Sequence, residues 1–418
     1  MMAILAGTIF GLAIIGTPIF AVMGLAALGA FHITGVPVSA VPAEMFRLVS
    51  SPTLVSIPLF TFAGHVLARS DSPKRMLRLA QNLVGWLPGG IAIMGLAACA
   101  FFTAFTGASG VTIIALGTLL YPMLVNEGYS EKFSLGLITT SGSLGLLFPP
   151  SLPLILYGIV AKADIDKLFL AGIIPGVLII SILSGWAAWN APEKKIKPIS
   201  SWADMWPSIK DALWEIILPV GVLVAIYGGF ATVTETAALT CIYVLIVECF
   251  LRRELSLFND IPRVMVESMA MVGAILLILC CALGVTNFLV DEEIPMKLMA
   301  FMQTWITSKL AFLLVLNIFL LVVGCLMDIF SAIIIVVPLI IPVAHEFGVN
   351  PFHLGIIFLT NLEIGYITPP VGINLFIAGL EFKKSITSLY RVSLPFFLLL
   401  LIALALITYV PFISMWWN

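Results

Sequence analysis

Apolar stretches of about 20 residues, the length that crosses the hydrocarbon core of a bilayer, recur along almost the whole of this chain. Full-length candidates lie at approximately 3–30, 53–68 with its upstream turn, 133–160, 168–190, 214–230, 236–251, 267–290, 353–380 and 388–413. No polar segment between them is long enough to fold alone, so the sequence predicts a single all-α integral membrane domain over residues 1–418, with the lipid bilayer as its solvent. Composition agrees: 61% of the residues are hydrophobic and 10% charged, against about 25% charged in a soluble domain. A net charge of −2 points to no charged partner, and nucleic acid is not expected as one. The run from Met1 to Phe31 is too long for a signal-peptide core and lacks preceding basic residues, so it is expected to be an uncleaved first span. The six cysteines sit inside apolar runs with no C-x-x-C spacing, which argues against a metal or disulfide role.

Two further apolar stretches, 88–126 and 310–346, are interrupted near their middles by Gly107-Ala108-Ser109-Gly110 and by Met327-Asp328-Ile329-Phe330-Ser331. Each is either two full spans or one re-entrant hairpin. Lys and Arg collect on the cytoplasmic side of membrane proteins, and here they cluster between Arg69 and Arg78, between Lys194 and Lys210, between Arg252 and Arg263, and at Lys383-Lys384. That distribution puts the N-terminus in the cytoplasm and the C-terminus in the periplasm under either reading.

The segment from Tyr121 to Pro150 aligns without a gap onto the segment from Ile341 to Pro370, at a constant offset of 220 residues. Pro122, Gly128, Thr140, Gly145, Pro149 and Pro150 meet identical residues at Pro342, Gly348, Thr360, Gly365, Pro369 and Pro370, and Pro175 meets Pro395. Two units follow, approximately 1–191 and 233–418, with the span at 214–230 linking them. An odd linking span turns the second unit upside down, and inverted repeats of this kind mark secondary transporters. The repeat favours the hairpin reading, with two re-entrant helical hairpins and two discontinuous helices.

Proline lacks an N–H and clashes with the preceding turn, so a Pro-Pro pair must unwind a helix in mid-membrane. Such backbone is tolerated only where protein or a wet cavity covers it. Freed carbonyls there suit a hard cation such as sodium, and half-helix N-termini suit an anionic solute. The interruptions carry complementary groups: Gly107, Ser109, Gly110 and Thr112 in the first, Gly324, Asp328 and Ser331 in or near the second. An Asp within an apolar stretch is a functional candidate by default, although Asp328 is also well placed to cap the helix that follows it. Glu363, where the first unit has Ser143, is expected to be a proton or cation site or a buried group held by backbone N–H donors; Asn374 is a further candidate. Basic and apolar residues from Ser70 to Trp86 predict a helix lying on the membrane face, with Leu257 to Glu267 in the corresponding slot of the second unit. No G-x-x-x-x-G-K-[ST] is present, and His345-Glu346 fails H-E-x-x-H, so neither ATP hydrolysis through a P-loop nor zinc proteolysis is expected.

Leu144 to Ser151, Tyr157-Gly158 and Leu168 to Gly176 resemble signatures of the large membrane subunit of tripartite ATP-independent periplasmic (TRAP) transporters, and Ile57 to Phe60 and Asn361 to Phe376 are similar to two more. The resemblance implies an inner-membrane elevator transporter that is no enzyme. Its transport elements at approximately 88–160 and 310–380 would carry sodium and a small organic acid, such as sialic acid or a dicarboxylate, past a scaffold made of the remainder. It also implies two partner chains, a small four-helix membrane subunit and a periplasmic substrate-binding protein, and no cofactor beyond sodium as the coupling ion. Carried onto this chain, the cation-binding positions are Gly107, Ser109, Gly145 and Pro149 in one half and Gly324, Asp328, Gly365, Thr368 and Gly372 in the other. Ser143, Ser151, Ser331, Glu363 and Asn374 are the expected solute-binding positions. A stand-alone sodium-coupled carboxylate carrier of the same superfamily is the competing expectation.

Overall fold

In a computed structural model of the chain, the residues described are all except 1–6, 10, 13, 14, 36, 193–201, 294, 295, 298–305, 307 and 418. Parts of the expected first span and the basic residues Lys194, Lys195 and Lys197 lie outside them. The described residues are almost wholly helical. In chain order the helices are α1 (Ile19–Thr34), α2 (Ala40–Val49), α3 (Ser56–Arg69), α4 (Ser72–Val84), α5 (Gly90–Thr106), α6 (Ser109–Asn126), α7 (Glu131–Ser141), α8 (Leu152–Ala161) and α9 (Ile165–Trp189). Then come α10 (Trp202–Asp211), α11 (Leu213–Tyr227), α12 (Val233–Leu251), α13 (Asp260–Asp291), α14 (Lys309–Leu326), α15 (Ile329–Glu346), α16 (Pro351–Gly365), α17 (Ile373–Glu381) and α18 (Ile386–Tyr409).

Helix starts follow local chemistry. Ser130, Ser151, Asn350 and Ser385 each accept a backbone N–H from the first turn of α7, α8, α16 and α18. Thr232 and Glu235 close a reciprocal capping box at the start of α12, which explains a carboxylate at that end of a span. One expectation fails: Leu257 to Glu267 forms no separate surface helix, because Asp260 opens α13 and that helix runs unbroken to Asp291. Pro262 stands in its first turn, where proline is tolerated.

Seven helices among the described residues are long and apolar enough to cross a bilayer, or up to nine if each bent pair counts as one span. α14 shows why water is the wrong solvent: Leu310, Leu314, Ile318, Val322 and Leu326, spaced four apart on one face, are all more than half exposed, while Phe312, Leu313, Leu316 and Leu320 are buried. A continuous apolar stripe of that kind needs lipid or a protein partner. Inside, Asn361 donates to Asn317, which donates to Thr408, so that one buried polar chain ties α16, α14 and α18 together.

The expected helix forms as α4, and within it Arg75 is only 3% exposed. Its Nε lies 2.5 Å from Glu215 on α11, one Nη lies 3.3 Å from Glu248 on α12, and the other meets Glu254 beyond α12. Burial works against the charge on Arg75, but Glu215, Glu248 and Glu254 outweigh it and hold the guanidinium protonated. Ser72 donates to this cluster, and Asn82 donates to Ser208 on α10 at 2.5 Å, so both ends of α4 are fastened to the segment that joins the two halves of the chain.

Candidate functional site

α5 ends on Gly107, whose φ of 63° lies in the left-handed region, and the chain turns there before α6 begins at Ser109. Across from this turn the helix from Glu131 breaks: α7 stops at Ser141, a short 3-10 turn covers Leu144–Leu147, and Phe148 is extended before α8. Contact between turn and break is direct. The Thr103 hydroxyl donates to the Gly142 carbonyl at 2.7 Å and lies 2.8 Å from the Thr112 hydroxyl. A Cβ on Gly142 would lie 3.1 Å from the Ser109 carbonyl oxygen, one on Gly145 would lie 2.2 Å from that of Ala100, and one on Gly107 would strike Leu152. Gly107, Ser109 and Gly145 therefore share one site with Thr103, Thr112 and Gly142, and Pro149 lies between the two segments that touch it.

The second half repeats the arrangement with other side chains. A Cβ on Gly365 would lie 2.3 Å from the backbone of Gly324, so the end of α16 sits directly on α14. Asp328 caps α15, accepting the Ser331 N–H at 3.0 Å and the Ser331 hydroxyl. Tyr366 reaches the same interruption, its hydroxyl accepting the Ile329 N–H at 2.9 Å. Gly372, with φ of 60°, opens α17, while the Thr368 hydroxyl is engaged by the Ile364 carbonyl at 2.7 Å. The capping function of Asp328 makes a testable distinction: Asp328→Ala is expected to destabilise the protein by about 1 kcal/mol, and Asp328→Asn, which can still cap, by much less. Equal losses in thermal unfolding would show that the cap is not what Asp328 contributes.

Asn374 on α17 donates to the Thr139 carbonyl at 3.2 Å and approaches Ser143 at 3.5 Å. Tyr157 on α8 donates to the Pro351 carbonyl at 2.8 Å. The second segment of each broken helix thus meets the first segment of the other, and the two run antiparallel. Each also leans on the opposite interrupted stretch, α8 against α15 and α17 against α6. Ser143 and Asn374 are brought together. Ser151 is held as a cap, donating to the Leu146 carbonyl. Glu363 is buried with no hydrogen-bond partner at either carboxylate oxygen, so the expected backbone donors do not hold it. Thr103 and Tyr366 escaped the sequence analysis because their positions 220 residues away are Val323 and Leu146, and the repeat gave neither an echo. No group of three or more His, Cys, Asp or Glu suited to a metal ion occurs among the described residues.

Antiparallel broken helices packed against two interrupted apolar stretches define a membrane transporter. The Alcanivorax borkumensis YdaH transporter has a similar fold, with a TM-score of 0.64 over 90% of this chain and 88% of that one at 14% identity. Residues 6–413 match the family described as "Tripartite ATP-independent periplasmic transporter, DctM component". The C4-dicarboxylate TRAP transporter large permease protein DctM of Rhodobacter capsulatus is 35% identical over 99% of this chain and 97% of its own length. The isethionate TRAP transporter permease protein DctMQ of Oleidesulfovibrio alaskensis is 36% identical over 96% of this chain, which spans 64% of that relative's length. The ectoine/5-hydroxyectoine large permease UehC of Ruegeria pomeroyi is 32% identical over 87% of this chain and 86% of its own length. The chain belongs to the DctM family of TRAP transporter large permeases. It is a multi-pass membrane permease and not an enzyme.

Proposed function

We propose that this chain performs sodium-coupled uptake of a small organic acid across the bacterial inner membrane, by an elevator movement of elements 88–160 and 310–380 against the remainder. The observation that carries this reading is the reciprocal packing of the two broken helices and the two interrupted stretches, which supports their moving together. In it, 88–126 and 310–346 are re-entrant hairpins whose turns, with the helix breaks beside them, bind the ions. One ion lies near Gly107, Ser109, Gly145 and Pro149, the other near Gly324, Asp328, Gly365, Thr368 and Gly372. The solute lies between the halves, toward Ser143, Ser151, Ser331 and Asn374. Relatives named for isethionate, C4-dicarboxylates and ectoine support a small polar cargo. A small four-helix membrane subunit and a periplasmic binding protein that delivers the solute complete the system, with the N-terminus of this chain cytoplasmic and its C-terminus periplasmic.

If two sodium ions accompany one monoanion, positive charge enters and gains about 2.3 kcal/mol per charge at 100 mV, inside negative. Uptake of labelled solute into proteoliposomes holding this chain and its small partner is expected to need an inward sodium gradient, to rise with inside-negative potential and to require the binding protein. Sodium-independent uptake would overturn the reading. Full uptake of free solute without the binding protein, still sodium dependent, would instead establish a stand-alone carrier.

A further inference from the structure

The cluster at the start of α4 holds more carboxyl groups than its cation can pair. Arg75, Glu215 and Glu248 are 3%, 1% and 0% exposed, whereas Glu254 is 22% exposed and also accepts the Asp71 N–H at 2.8 Å. Two fully buried carboxyl groups therefore share one guanidinium, and a buried charge left without a counter-charge is strongly disfavoured.

The imbalance falls on one hydrogen atom. The Ser72 hydroxyl oxygen lies 2.9 Å from Glu215 Oε1 and 3.0 Å from Glu248 Oε1. A serine hydroxyl has a single hydrogen to donate. It can serve one carboxylate, so the other contact needs a hydrogen from the carboxyl group itself. Glu215 Oε1 already accepts Arg75 Nε at 2.5 Å, the short contact of a charged pair. Glu248 faces only one Nη of Arg75, at 3.3 Å and 3.5 Å from its two oxygens, and that nitrogen lies closer to Ser72, at 3.0 Å. With Glu248 neutral and donating to Ser72, and Ser72 donating to Glu215, each contact has its hydrogen and the fully buried charges pair one to one.

The charges that act on Glu248 are those of Arg75, Glu254 and Glu215. Around the cluster, Lys74 pairs with Asp71, Arg78 and Arg252 pair with Asp211, and Lys210 lies over the Trp206 ring. His65 and Arg69 on α3, Arg253 after α12, and Asp260, Arg263 and Glu267 on α13 make no ion pair with it among the described residues. Tyr243, which donates to the Trp214 carbonyl at 2.9 Å, and Cys249 are neutral at physiological pH.

We propose that Glu248 and Ser72 form a proton-binding site that fastens α4 to α11 and α12, and that the fastening loosens when the proton leaves. The step is a reversible transfer of one proton between water and Glu248 Oε1, with no other bond changed. Once ionised, Glu248 competes with Glu215 for the single Ser72 hydrogen and adds a second buried negative charge. The folded chain thus holds one proton that an unfolded glutamate releases in the ordinary carboxyl range, so stability falls as pH rises until the folded cluster has released it. The site is separate from the positions proposed for ions and solute, and its test needs no transport.

Thermal unfolding of the purified protein in one detergent is expected to show wild-type stability falling from mildly acidic to alkaline pH, by at most about tenfold in the folding equilibrium per pH unit, the limit for one group. Glu248→Gln is expected to be as stable as wild type at neutral pH and to lose this share of the fall, because its amide can donate to Ser72 as the neutral acid does. Glu215→Gln is expected to be less stable at every pH, because it takes the negative charge from Arg75 Nε. Equal losses in the two variants, the reverse order, or an unchanged fall in Glu248→Gln would overturn the proposal. Infrared spectra at neutral pH give an independent reading: a protonated carboxyl C=O band present in wild type is expected to be lost in Glu248→Gln. A wild-type spectrum unchanged in Glu248→Gln refutes the site.

Discussion

Arg75→Ala is expected to destabilise the protein by about 3–5 kcal/mol, the usual loss when one partner of a buried ion cluster is removed. Glu215 and Glu248 are 1% and 0% exposed, and Arg75 is the basic side chain that bridges them with Glu254. One oxygen of Glu215 already lacks a partner, so the site has no spare donor to fall back on. Arg75→Lys keeps the charge but can occupy only one of the three directions the guanidinium spans, and is expected to recover part of the loss. Arg78→Ala, with a side chain 63% exposed and 3.6 Å from Asp211, is the matched control and should shift stability by less than about 1 kcal/mol. Thermal unfolding of the three variants in one detergent orders them; comparable midpoints for Arg75→Ala and Arg78→Ala would refute the buried clamp.

Gly365→Val is expected to abolish uptake and to lower stability together. Any Cβ at this position meets backbone, 2.3 Å from the Gly324 carbonyl carbon and 2.5 Å from its Cα. Overpacking a core costs about 1–3 kcal/mol when side chains can yield; here two helix backbones would have to separate, which also pulls Tyr366 from the Ile329 N–H. Gly145→Val is expected to act in the same way, because its Cβ would lie 2.2 Å from the Ala100 carbonyl. Gly221→Val provides the contrast, since nothing lies within 4 Å of a Cβ there. A Gly365→Val protein that keeps wild-type stability and loses only its uptake would show that the glycine acts on bound ions alone and not through the fit of α16 on α14.

Those two residues illustrate what was legible in the chain and what was not. Gly365 was visible because it repeats Gly145 at the offset that also pairs Pro149 with Pro369, and identities at a fixed spacing survive in one dimension. Its physical role was not, since a glycine beside a helix break reads equally as freedom for the backbone and as room for a neighbour; the distance to Gly324 selects the second. Arg75 read as one basic residue in a run from Arg69 to Arg78. Its three carboxylate partners lie 140, 173 and 179 residues away. No local pattern links side chains at such separations.

From the sequence alone follow the all-helical membrane architecture, the positions of most spans and the places where two of them break. These depend on properties carried within about 20 residues: the apolar length a bilayer demands, the missing N–H of proline and the hydroxyl that caps a first turn. Only the tertiary structure decided that the two broken helices run antiparallel and meet at Tyr157 with Pro351 and at Asn374 with Thr139. It alone decided that Thr103 and Tyr366 complete the two turns, that Arg75 is buried and that Glu363 has no partner. The physical reason is that burial and hydrogen bonding belong to pairs of groups brought together by packing, whereas helix formation and breakage belong to the chain itself.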